Sequence, residues 1–117
     1  VLILDPKKKA FAIAALRRAS YRWPGRYNAF KNGKIGRNQY KCAICNQIFG
    51  RKDVQLDHRI PIIDPVRGWQ GFDNFIDRLL VEESFFQVLC KSDHKLKTQN
   101  ENKVRKKYKK KKPKFKE

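Results

Sequence analysis

Acidic residues are scarce in this chain: 11 Asp and Glu stand against 29 Lys and Arg, a formal net charge of +18. That imbalance disfavours a basic partner and points to a polyanion, most simply nucleic acid. Methionine is missing altogether, so the numbering is expected to begin after an initiator or within a longer chain. No apolar run approaches the roughly 20 residues of a membrane-spanning helix. Val1-Leu2-Ile3-Leu4 is too short and wrongly flanked for a signal peptide. A soluble protein with no membrane partner is expected. Cysteine is reduced to three, Cys42, Cys45 and Cys90. An odd count with one Cys-x-x-Cys pair and no secretion signal argues against a disulfide framework and for an intracellular metal site. Only two histidines occur, His58 and His94. With 117 residues the chain is one small domain with appendages, and a core of that size benefits from a metal. There are no internal repeats.

The charge that is present is not confined to one end. Residues 103–117 carry ten Lys/Arg against one Glu, a net +9, and the remainder supplies the other +9. Three regions follow: a basic N-terminal helix and DNA-contacting arm (1–39), a central domain (40–102), and a lysine-rich tail (103–117). The tail is expected to be disordered beyond about residue 108, because a block of like charge repels itself. Asp5 followed by Pro6 starts a helix over residues 5–19, with Phe11, Ala15 and Arg18 on one stripe extended by Ile13 and Leu16. In residues 20–39, Pro24-Gly25 and Asn32-Gly33 read as turns. Basic side chains alternate there with Tyr21, Trp23 and Tyr27, a pattern suited to phosphate contact and stacking. The same aromatics can equally pack on the domain. Residues 40–62 read as a knuckle followed by a strand pair, residues 72–80 as a short helix with Asp73 near its cap, and residues 85–90 as strand or loop. A last helix runs from Asp93 into the tail.

Within this frame, Val54-Gln55-Leu56-Asp57-His58-Arg59-Ile60-Pro61-Ile62 is an apolar alternation ending in an adjacent carboxylate and imidazole. A strand sends Val54, Leu56 and His58 to one face and Gln55 and Asp57 to the other. The Cys42/Cys45 pair is half of a zinc knuckle. Its other half reads Cys90-Lys91-Ser92-Asp93, with Asp93 where a fourth thiolate would stand. A Cys₃Asp zinc site is chemically allowed and weaker than Cys₄. The alternative is three unligated thiols, with Asp93 capping the last helix. Asp57, His58 and His94 form a second constellation: a carboxylate and an imidazole to hold a divalent cation, and another imidazole to take a proton from water.

Over about residues 40–100 these motifs resemble the HNH nucleases, especially the small HNH endonucleases of bacteriophages. Cys-x-x-Cys comes first, then Val-Gln-Leu-Asp-His-Arg-Ile-Pro-Ile, then Leu89-Cys90-Lys91-Ser92-Asp93-His94-Lys95-Leu96-Lys97-Thr98. The resemblance implies an α+β fold with a ββα-metal core and a structural Zn²⁺ held by Cys42, Cys45, Cys90 and Asp93. It implies that His58 is the general base. Asp57 and His94 would bind one catalytic Mg²⁺, Mn²⁺ or similar ion, which stabilises the transition state and the leaving 3′ oxygen. The partner would be DNA, gripped mainly by its backbone through Arg17, Arg18, Arg22, Arg26, Lys34, Arg37, Arg59, Lys97, Lys103 and Arg105. The protein would act as a monomer or weak homodimer in a bacterial or phage-infected cytoplasm. Two positions depart from the family pattern. An asparagine is expected five residues before Cys90, where Phe85 stands; Asn74 is the candidate substitute. Asp93 replaces a cysteine. Thr98 stands one helical turn after His94, where some relatives carry another histidine ligand, so an ion held by few side chains and several waters is expected. The competing reading is a non-catalytic, zinc-containing nucleic-acid-binding protein on the same scaffold. A basic structural protein would explain the tail but not the Asp57-His58 pair.

Overall fold

The first helix starts where Asp5 and Pro6 place it. In a computed structural model, which describes residues 3–110, α1 spans Pro6–Ser20 and Asp5 Oδ1 accepts the Lys7 N–H at 2.8 Å. Ala12, Ile13, Ala15 and Leu16 are half-buried, whereas Phe11 stands exposed. The inward face of α1 is thus narrower than the expected stripe. It packs on α3, Phe72–Leu79, where Lys9 lies 4.2 Å from the Trp69 ring centre and Arg17 lies 5.7 Å from that of Phe75.

A second helix, α2, occupies Pro24–Gly33, the stretch read as two turns. Both turn signals are helix ends. Pro24 sits at the first helical position, where its missing N–H costs nothing, and Gly33 closes the last turn. Gly33 also lets the helix lie close to the sheet: a Cβ there would come within 2.7 Å of Val88 Cγ2. Trp23 ties the start of α2 to the far side of the fold through Nε1 to the Val81 carbonyl, at 2.6 Å.

Three short strands follow: β1 (Lys34–Gly36), β2 (Gln39–Lys41) and β3 (Ile48–Phe49), antiparallel in that order. The boundary placed at residues 39/40 falls inside this sheet. A 3-10 turn at Arg51–Asp53 then carries the chain away. For this reason β4 (Val54–His58) does not pair with the strand just before it. Its partner is β5 (Phe86–Cys90), antiparallel, with Val54 opposite Cys90, Asp57 opposite Gln87 and His58 opposite Phe86. The long connection between them holds α3. Helix α4, Lys91–Lys110, begins at the residue after β5. It therefore continues as helix into the lysine-rich region; residues 111–117 lie outside the described residues, and with them most of the stretch expected to be disordered.

The architecture is α+β. Alternation in β4 places Val54 and Leu56 in the core beside Ala29, Phe86 and Val88, with Trp23, Phe30, Tyr40, Phe49 and Val81 packed round them. A second small cluster joins Cys42, Leu89 and Cys90. Phe75, Leu89 and Val54 are nearly inaccessible, and burying each such side chain contributes about 1.5–3 kcal/mol. Among the described residues no helix is long and apolar enough to cross a membrane.

Candidate metal centre and active-site cleft

The knuckle forms because β2 and β3 are joined by a tight reversal. Asn46 takes a left-handed backbone (φ 60°), its N–H reaches the Cys42 carbonyl at 3.0 Å, and the Cys42 N–H reaches the Gln47 carbonyl at 3.0 Å. Asparagine is among the few residues that adopt this conformation readily. The reversal presents Cys42 and Cys45 together. The junction of β5 with α4 brings Cys90 and Asp93 to meet them. The four ligand atoms all lie within 4.8 Å of one another. Ligands about 2.3 Å from one zinc stand roughly 3.8 Å apart at tetrahedral angles, so the set fits such an ion with small adjustments. Both the Cys42 and the Cys90 thiols donate to Asp93 Oδ2, at 3.1 and 3.3 Å. Those bonds, with one from Cys45, hold the Asp93 carboxyl below its ordinary value, while burial pushes the Cys90 thiol up to about 11. Among the described residues this is the one group of three or more Cys, His, Asp or Glu gathered closely enough to hold a metal.

One residue further along α4 a second site begins. His94 Nε2 lies 3.8 Å from Asp57 Oδ1, across a cleft of about 320 Å³ that His58 also lines. Two ligands on one Mg²⁺-sized ion stand roughly 3 Å apart, so a small side-chain movement would bring this oxygen and nitrogen into range. The other carboxylate oxygen is already engaged. Asp57 Oδ2 accepts from Gln87 Nε2 at 2.9 Å and faces Lys97 Nζ at 3.1 Å. Lys97 also donates to the His58 carbonyl at 3.2 Å and to Glu101. Burial works to lower the Lys97 ammonium, but the hydrogen bonds to Glu101 and Asp57 outweigh it and hold the group above its ordinary value. Asp57 thus leaves Oδ1 facing His94 and engages Oδ2 with protein donors.

His58 is set by its neighbours too. Its Nε2 lies 2.9 Å from the Leu79 carbonyl. A carbonyl can only accept, so Nε2 carries the hydrogen and Nδ1 is left with the lone pair. The ring rests against Phe86 at 4.6 Å between centres. Burial holds the imidazole below its ordinary value, despite the opposing Leu79 bond, so it is neutral at neutral pH. Comparison with protein-family models, curated proteins and solved structures finds no match. What the site can do is set by its own geometry.

The position five residues before Cys90 is Phe85, and its side chain is exposed. Asn74 sits on α3 and does not line the cleft. The end of the strand pair is instead braced by Arg59. Its backbone N–H donates to the Phe85 carbonyl at 2.8 Å. Its Nε reaches the Ser84 and Phe86 carbonyls at 3.1 and 3.2 Å, and Nη1 reaches Gln87 Oε1 at 3.3 Å. That last bond fixes which way round the Gln87 amide lies, so its Nε2 is the atom offered to Asp57. Arg59, read from sequence as a DNA contact, has its side chain turned onto β5.

Of the other basic residues singled out, Arg17 and Arg105 line the cleft itself. Arg105 also holds the long connection through Nη2 to the Ile63 carbonyl at 3.1 Å. Arg26 lies in an adjoining trough. Arg18, Arg22, Lys34, Arg37 and Lys103 are exposed and line neither. Sequence reasoning missed Gln87, Glu101 and Arg51. Glu101 carried a signal, since it stands four residues after Lys97 and pairs with it on the helix face. Gln87 carried none until the strand register was known.

Proposed function

We propose that this chain is a metal-dependent endonuclease of the HNH type, hydrolysing DNA phosphodiester bonds. The observation that carries the reading is the bond between His58 Nε2 and the Leu79 carbonyl, made beside the Asp57–His94 pair. It leaves a neutral imidazole with Nδ1 available as base, in the same cleft as a carboxylate oxygen and an imidazole nitrogen suited to one cation. A general base must meet its proton within hydrogen-bond reach and be unprotonated at working pH; burial supplies the second condition here.

The chemistry follows from these groups. His58 Nδ1 takes a proton from a water molecule as the water oxygen bonds to phosphorus. The bond from phosphorus to the leaving oxygen breaks, and solvent water gives that oxygen the proton that completes the alcohol. A divalent ion held by Asp57 and His94 would supply charge stabilisation to the phosphate oxygens as a Lewis acid. Lys97, Gln87 and Arg59 keep Asp57 in place for that role. Arg17 and Arg105 at the cleft face a polyanionic substrate. The Cys42, Cys45, Cys90 and Asp93 set would hold zinc as a staple between the knuckle and α4.

One observation favours the second reading, a nucleic-acid-binding protein without catalysis. The Lys97 ammonium rests on Asp57, which gives the carboxylate a counter-charge of its own. A plasmid-nicking assay separates the two. Wild-type protein with Mg²⁺, Mn²⁺ or Ni²⁺ should convert supercoiled plasmid to open circles, and His58→Ala should slow this by about 10²–10⁴-fold while still binding DNA. No nicking by wild type with any of the three ions, or full nicking by His58→Ala, would overturn the proposal.

A further inference from the structure

The cleft does not end at His58. A second trough of about 480 Å³ shares Arg17, His58 and His94 with it and runs on past Tyr21, Arg26 and Arg51. The two depressions therefore meet at the candidate base. Arg26 comes from α2 and Arg51 from the 3-10 turn before β4. Their convergence is a product of the fold, not of chain proximity.

Each of these two guanidinium groups is laid against an aromatic ring. Arg26 Cζ lies 4.7 Å from the Tyr21 ring centre and Arg51 Cζ lies 4.1 Å from that of Phe30. Stacking fixes the plane of the group and leaves its N–H edges free to bind an oxyanion. Neither side chain, nor that of Arg17, has an ion-pair partner or a hydrogen-bond acceptor among the described residues. The ion pairs there belong to Arg78, His94 and Lys97. Gathering like charges without a counter-charge destabilises the fold. Burial lowers the Arg26 guanidinium, Tyr21 opposes this, and the charge of Arg51 adds a smaller lowering. A bound anion would supply the missing counter-charge.

We propose that Arg26 and Arg51, with Arg17 bridging to the cleft, form a phosphate subsite that seats the nucleic-acid backbone beside the reacting phosphate. The inference rests on the nuclease reading for the identity of the polyanion. It assigns Arg51 a role that no sequence pattern suggested, and it gives the strand a direction of travel, from the trough over His58 towards Arg105.

The test is a salt titration of binding to a 20-base-pair duplex, without added divalent ion. It compares wild type, R26Q/R51Q, R26K/R51K and the control K91Q/K95Q, whose exposed lysines line neither depression. R26Q/R51Q should bind about tenfold more weakly, with a log–log salt slope flatter by about 2, at roughly 0.9 for each phosphate no longer neutralised. R26K/R51K should recover the slope and only part of the affinity, since lysine keeps the charge without the stacked fork. K91Q/K95Q should change the slope by less than half as much. Thermal melting checks folding, and if the double variant does not fold, Arg51→Gln alone should flatten the slope by about 1. An unchanged slope in the arginine variant, or equal changes in the arginine and lysine variants, overturns the subsite. Wild type that nicks plasmid while the slopes fail to separate removes the subsite and leaves the nuclease. Slopes that separate without any nicking support the subsite and remove the nuclease.

Discussion

Asp93 and His94 are consecutive residues of α4, yet the sites they enter are built differently. At the knuckle, four ligand atoms from two segments close on one another within 4.8 Å, and the thiols already donate to the carboxylate. At the cleft, two candidate ligands stand 3.8 Å apart in an open space of about 320 Å³, with the His58 imidazole also on its wall. A closed four-ligand set suits a structural ion, and an incomplete set with room for water suits a catalytic one. The first turn of α4 is where the two meet, so order at the knuckle is order at His94.

The largest way to break this pairing is at the knuckle. Cys42→Ser removes a buried thiolate ligand and should abolish stoichiometric zinc, measured by mass spectrometry of native protein. It should lower the melting temperature by about 10 °C or more, taking 2–4 kcal/mol as the loss and about 4–8 °C for each kcal/mol in a domain of this size. A metal-free wild type that melts at the same temperature as the zinc-loaded protein would show that the cluster holds no structural ion. Gln87→Leu tests the cleft without touching a ligand. Loss of the amide that pins Asp57 should weaken Mn²⁺ binding by about 10–100-fold, read by electron paramagnetic resonance. Arg59→Lys should weaken it less, since a lysine can reach one of the carbonyls but cannot brace all three acceptors. The smallest effect is expected from Asp93→Cys. It completes a Cys₄ set and should raise zinc affinity by about tenfold in a chelator competition, sharpening the contrast between a soft closed site and a hard open one.

How far the sequence revealed this arrangement depended on whether the signal was local. Asp5-Pro6 marked the first helix because capping acts within one turn. The Cys42/Cys45 spacing and the Cys90/Asp93 spacing were each legible, and the fold brings the two halves together. The pairing of β4 was not legible. Its partner lies beyond a long connection, and only tertiary packing selects it over the adjacent β3. Gln87 followed the same rule, for it meets Asp57 through strand register alone. Helix α2 was hidden because Pro24-Gly25 and Asn32-Gly33 serve as helix ends and as turns with equal ease. The bracing role of Arg59 was hidden for another reason. An arginine after the Asp-His pair suits a phosphate as well as it suits three protein acceptors, and composition does not distinguish them.

The long connection between β4 and β5 has a consequence for how such a protein can change. Its two ends are tied together by Arg59 on the Ser84 and Phe86 carbonyls, and its opening stretch is held to α3 by Arg78 Nε on the Pro61 carbonyl, at 2.8 Å. Its tip is an exposed reversal at Val66 and Arg67, closed by the Asp64 side chain and by Gly68 at φ 72°. The closure entropy of a loop grows only logarithmically, about 0.6 kcal/mol for each doubling of length. The tip can therefore accept an inserted segment with little loss of stability while His58 and Asp57 stay braced from below. It is a natural graft point, where a new segment could be added to the protein without disturbing the cleft.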